Sequence, residues 1–111
     1  MNAELLKGHL DLLLLSTLVE PAHGYAIIDT LRRTSDGTFD LPEGTVYVAL
    51  HRLEQAGLLT SRWATVAGRR RRVYALTHQG RASLDEKRAE WARFVEGVSG
   101  VLRGTQCRAP A

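Results

Sequence analysis

The sequence predicts a mainly helical α+β protein, built from short helices, a two-stranded basic hairpin and one long closing helix. Three observations lead there. Apolar residues recur at helical spacing as far as Gly57, the period switches to two between Leu58 and Leu76, and a helical seam resumes from His78. With 111 residues and 44% hydrophobic content, the chain can build one compact core and is too short for two ordinary domains.

The first helix is expected where Leu5, Leu6, Leu10, Leu13, Leu14 and Leu18 recur at helical spacing, with Leu12 and Leu15 widening the apolar stripe almost all round. A helix apolar on most sides must be covered on most sides, by its own core and by a partner subunit. Pro21 and Gly24 bracket its stop. The second helix is predicted over Gly24 to Thr34, burying Tyr25, Ile28 and Leu31 and leaving Arg32 and Arg33 outside. Ser35 to Thr38 then reads as a turn and Phe39 to Pro42 as an extended connector, because the residue before proline is pushed out of helical geometry.

The third helix begins at Glu43, a carboxylate favoured at the positive helix end, and stops at Gly57. Val46, Leu50 and Leu53, with Ala49 beside them, line its inner face, leaving Thr45, Tyr47, Val48, His51, Arg52 and Gln55 for the others. From Leu58 two strands alternate on either side of a turn at Gly68, and the loop between them carries Arg69, Arg70, Arg71 and Arg72. Thr77 supplies a cap for the last helix, predicted from about His78 to Leu102. Its seam of Leu84, Trp91, Val95, Val98 and Leu102 suits a helix-helix interface, interrupted by Arg88, while Gly97, Gly100 and Gly104 weaken its far end. Thr105 to Ala111 is expected to be disordered.

Charge is unevenly spread. Residues 1–41 hold three basic side chains against six acidic ones, whereas residues 42–81 hold seven arginines against Glu43 and Glu54. The net charge of +3 is therefore concentrated in the third helix and the hairpin, where a polyanion would be met. A helix followed by a basic hairpin is also how a small protein presents two reading elements to a duplex.

Other functions find less support. No phosphate-cradling glycine loop, nucleophile elbow or acid-base pair suggests an enzyme, and no cofactor is expected. His9, His23, His51, His78 and Cys107 form no close pair at ligand spacing, so a metal site would need approach across a dimer. The lone Cys107 makes the fold independent of an oxidising compartment, and Leu10 to Val19 is too short to span a bilayer, so a cytoplasmic location without membrane contact is expected.

Five motifs in order, Leu6-Lys7-Gly8, His23-Gly24-Tyr25, Glu43-Gly44-Thr45-Val46-Tyr47 through Leu50-His51-Arg52-Leu53-Glu54, Gly57-Leu58-Leu59, and Leu76-Thr77-x-x-Gly80-Arg81, resemble the PadR family of transcriptional regulators. The resemblance covers residues 5 to about 100 and implies a winged helix-turn-helix DNA-binding domain over residues 1–77, a dimerisation helix over 78–103 and a tail over 104–111. It further implies a homodimer, usually a repressor on a promoter palindrome, of the small subfamily with a single dimerisation helix. Thr45 to Arg52 would be the recognition helix and Ser61 to Leu76 the wing. Val48 and Arg70 stand where the family commonly has proline.

The candidate DNA contacts are Thr45, Tyr47, Val48, His51, Arg52 and Arg69 to Arg72. For several a plainer role stands beside the DNA role: Thr45 as a cap, Tyr47 as core packing, Arg52 as partner of a nearby carboxylate, and the arginines as a solvated charge run. Four adjacent arginines repel one another until something anionic sits nearby, which favours the DNA role for the loop. Leu84, Trp91, Val95 and Val98 are the candidate dimer or ligand residues, with Trp91 placed to pack across a dimer axis. The resemblance adds that Trp91 would stack there on a small aromatic effector, as in some family members. The alternatives are a metal-responsive or small-molecule sensor, and a structural dimer module without DNA affinity.

Overall fold

The structure, a computed structural model, describes residue 6 and residues 8–107. Its elements in chain order are α1 (Leu10–Ser16), β1 (Ala22–His23), α2 (Gly24–Thr34), α3 (Glu43–Gln55), β2 (Leu59–Val66), β3 (Arg69–Leu76) and α4 (His78–Cys107). Helix α1 is shorter than its leucine pattern predicts. The chain turns at Gly8 and His9 before it, and the Thr17 hydroxyl donates to the Leu14 carbonyl at 2.7 Å after it. Leu14, Leu15 and Leu18 are fully buried, while Leu5 lies outside the described residues.

Helix α2 has the predicted limits but a different inner face. Gly24, Ile27 and Leu31 are buried, and Tyr25 is 51% exposed rather than in the core. The reason is Gly24: a Cβ there would fall on the Tyr47 ring, so the bare face of the glycine receives α3 and turns Tyr25 outward.

Helix α3 buries Val46, Ala49, Leu50 and Leu53 as expected. At its end Gly57, at φ +82°, donates to the Glu54 carbonyl and Leu58 donates to the Leu53 carbonyl, both at 3.0 Å. This paired closure needs the left-handed backbone that glycine adopts without penalty.

The hairpin runs in unbroken register from Leu59 opposite Leu76 to Val66 opposite Arg69. Its two-residue turn, Ala67-Gly68, has φ of 51° and 78°, the twist that matches paired strands. The sheet has three strands rather than the two expected, because β1 pairs with β3 through Ala22 opposite Tyr74 and His23 opposite Val73. A two-residue strand leaves no alternation to detect.

Thr77 caps α4 as expected, its hydroxyl accepting from the Gly80 amide at 3.0 Å and donating to the Gly57 carbonyl at 2.6 Å. Gly80 is buried, and a Cβ there would collide with the Leu58 carbonyl oxygen. The start of α4 is thus clamped to the end of α3. Beyond that root α4 leaves the core. The molecule measures 66 × 28 × 21 Å with a radius of gyration of 17.1 Å, against about 13 Å for a compact chain of this length. The helix runs on to Cys107, past Leu102, so residues 104–107 of the predicted tail are helical and residues 108–111 lie outside the described residues. No helix of the described residues is long and apolar enough to cross a membrane.

Candidate nucleic-acid interface

The outward face of α3 carries Gly44, Thr45, Val48, His51, Arg52 and Gln55, all exposed. Burial of Val46, Leu50 and Leu53 on the opposite side fixes that orientation. Val48, 72% exposed, stands in its middle. Arg52 forms a two-pronged ion pair with Asp11 of α1, one prong at 3.2 Å, which fulfils the carboxylate-partner reading of that residue and still leaves the guanidinium at the surface. Tyr47 is half-buried against Gly24. Burial and then the Glu43 carboxylate raise its phenol above the ordinary tyrosine value, against a smaller opposing effect of Arg71.

The four arginines of β3 do not form one solvated run. Strand alternation puts Arg70 and Arg72 on the face of Trp63, with Arg72 directly opposite it in register, and Arg69 and Arg71 on the other. Trp63 has two guanidinium groups over its ring, Arg70 at 5.3 Å and Arg72 at 5.4 Å from the centroid, within cation-π range. Arg72 also donates through Nε to the Ser61 hydroxyl at 2.9 Å, and that hydroxyl donates to the Glu54 carboxylate of α3. Arg71 lies 5.2 Å from the Tyr25 ring. Aromatic faces and strand alternation therefore relieve part of the repulsion among the four guanidiniums before any anion is bound.

Wing and helices meet in a cup of about 230 Å³ lined by His23, Gly24, Tyr47, Trp63 and Arg70 to Arg72. His23 caps α2, its Nδ1 accepting from the Ala26 amide at 3.3 Å. That bond requires unprotonated Nδ1. Desolvation first and the Arg71 charge second lower the His23 pKa, favouring the same neutral form. Hydrogen bonding to Glu43, ahead of that carboxylate's charge, raises the Tyr25 phenol.

The predicted seam of α4 divides. Leu84 is 1% exposed and belongs to the chain's own core, so it is not available to a partner or ligand. Trp91, Val95, Val98 and Leu102 are exposed together with Phe94 and Val101, which the sequence reading left out although they lie three and ten residues beyond Trp91. The Trp91 ring meets His9 edge-on at 5.3 Å and Phe94 at 5.9 Å. These three, with Leu12, Lys87 and Glu90, line an open cleft of about 300 Å³. Tyr25, Ser61, Trp63 and Glu54 carry no site role in the sequence pattern, because their roles depend on contacts between elements. Among the described residues no group of three or more His, Cys, Asp or Glu could hold a metal ion.

A helix-turn-helix pair with an arginine wing beside its second helix defines the winged-helix class of DNA-binding regulators. Residues 12–86 match the Transcriptional regulator PadR-like family, and the chain belongs to it. It is similar to the Transcriptional regulator Rv3488 of Mycobacterium tuberculosis, 41% identical over 78 residues and covering 70% of each chain. Among solved structures, a PadR family transcriptional regulator from Eggerthella lenta aligns with a TM-score of 0.75 and 37% identity, covering 90% of this chain and 87% of that one. A PadR family transcription regulator from Clostridium difficile aligns with a TM-score of 0.73 and 36% identity, covering 86% and 98%.

Proposed function

We propose that the protein is a homodimeric repressor that occupies an inverted-repeat operator, α3 of each protomer entering the major groove while the wing grips flanking backbone. The reading rests on one observation: Arg70, Arg71 and Arg72 of β3 and Tyr47 of α3 line a single cup, so the wing and α3 stand on the same side of the protomer. Thr45, Val48, His51 and Arg52 would face the bases, and Arg69, Arg70 and Arg71 the phosphates. Arg72, tied to Ser61, would fix the angle of the wing. The apolar face of α4 from Trp91 to Leu102 would pair two protomers and set the reading helices about 34 Å apart, one duplex turn. Such a protein works by occupancy rather than catalysis, needs no cofactor, and acts in the cytoplasm.

Salt titration of binding to a duplex selected from a random pool tests this. Log affinity should fall by about 0.9 per phosphate contacted for each unit of log salt. Replacing Arg69, Arg70 and Arg71 by alanine should make the slope shallower. An unchanged slope would refute the role of the wing.

The cleft at His9, Trp91 and Phe94 favours a second component, relief of repression by a flat aromatic ligand. In a Trp63→Phe background, quenching of Trp91 fluorescence by planar aromatics but not by Zn(II) would support it. Quenching by Zn(II) alone would favour the metal-responsive alternative.

A further inference from the structure

Successive residues of a helix are about 100° apart, which places Val48 at the centre of the exposed arc of α3, between Thr45 and Arg52 on one flank and Gly44, His51 and Gln55 on the other. The side chain at the centre of this face is therefore apolar, 72% exposed, and alone among short or polar neighbours. One isopropyl group is far smaller than the patches that mark protein partners. Gly44 has open space where a Cβ would stand, so the first turn of the helix approaches a surface without obstruction. Valine in a helix holds one strongly preferred rotamer, which makes it a stiff probe.

The major groove presents donors and acceptors on every base pair and one apolar group, the C5-methyl of thymine. Pressed against a polar base edge, the isopropyl group would desolvate that edge without supplying a hydrogen bond. Against a thymine methyl it costs nothing and removes apolar surface from water. We infer that Val48 reads the C5-methyl of one thymine in each half-site and is a specificity-determining residue of this chain. The inference rests on the DNA-reading role proposed for α3.

The test uses the full chain and the duplex it enriches from a random pool, with each thymine replaced in turn by deoxyuridine, which lacks only that methyl. Losing one buried methyl contact should weaken binding about fourfold. For the wild type this should occur at one thymine of each half-site, and Val48→Ala, which lacks the two γ-methyls, should lose most of that penalty there. Alanine is a strong helix former and the site is exposed, so circular dichroism should be unchanged. Indifference of the wild type to every thymine methyl would overturn the inference while leaving the DNA-reading role intact, as would an equal deoxyuridine penalty in Val48→Ala. If no sequence is enriched, the DNA-reading role falls and the inference with it.

Discussion

Alanine at Gly24 would gain at most about 1 kcal/mol of helix propensity. Its Cβ, however, would fall on the Tyr47 ring, and overpacking of that kind costs about 1–3 kcal/mol. The steric effect wins, so Gly24→Ala should lower stability in urea unfolding by about 1–2 kcal/mol, and adding Tyr47→Leu should recover most of the loss. His23 acts through its protonation state. Its folded pKa lies below the ordinary 6.5 because desolvation and Arg71 both oppose the cation. The corresponding stability is complete above about pH 6.5 and is lost as pH falls through that value toward the lowered one. Asparagine caps a helix without titrating there. The melting temperature of His23→Asn should therefore fall less than that of the wild type between pH 8 and pH 5.5.

At the scale of elements, the wing turn contains one misfit. Ala67 holds φ at 51°, where a Cβ is disfavoured, whereas asparagine followed by Gly68 suits this turn. Ala67→Asn should stabilise the hairpin by about 0.5–1 kcal/mol, seen as slower amide exchange in β2 and β3. Most of the elements were legible because each carries its own local signal: the spacing of Val46, Leu50 and Leu53, the stop at Gly57, the cap at Thr77. The inner face of α2 was not. Tyr25 has the hydrophobicity of a core residue, and only the insertion of Tyr47 against Gly24 decides that it points outward. The same limit applies to the candidate interface. Seven arginines between residues 42 and 81 announce a basic surface, but their division among Trp63, Tyr25 and Ser61 follows from strand register and helix docking. Leu84 and Trp91 share a seven-residue repeat and look equivalent, yet α4 leaves the core between them.

The whole molecule is a compact head with a projecting rod, and the rod keeps Trp91, Phe94, Val95, Val98, Val101 and Leu102 at the surface. If those residues pair two protomers, stability should depend on protein concentration. Val98→Glu should abolish that dependence and sediment as a monomer, with helicity retained because Val98 lies outside the protomer core. The clamp at Thr77 has a mechanical corollary. One hydroxyl bridges the Gly57 carbonyl and the Gly80 amide, so the rod is pinned where α3 ends. A rod of about 45 Å turning by about 5° on such a pivot sweeps its tip through about 4 Å. In the proposed dimer on its operator, with the tips held together, the same rotation would shift the two heads against a duplex whose groove spacing is fixed, so a molecule wedged between the rods would gain leverage over DNA it never touches.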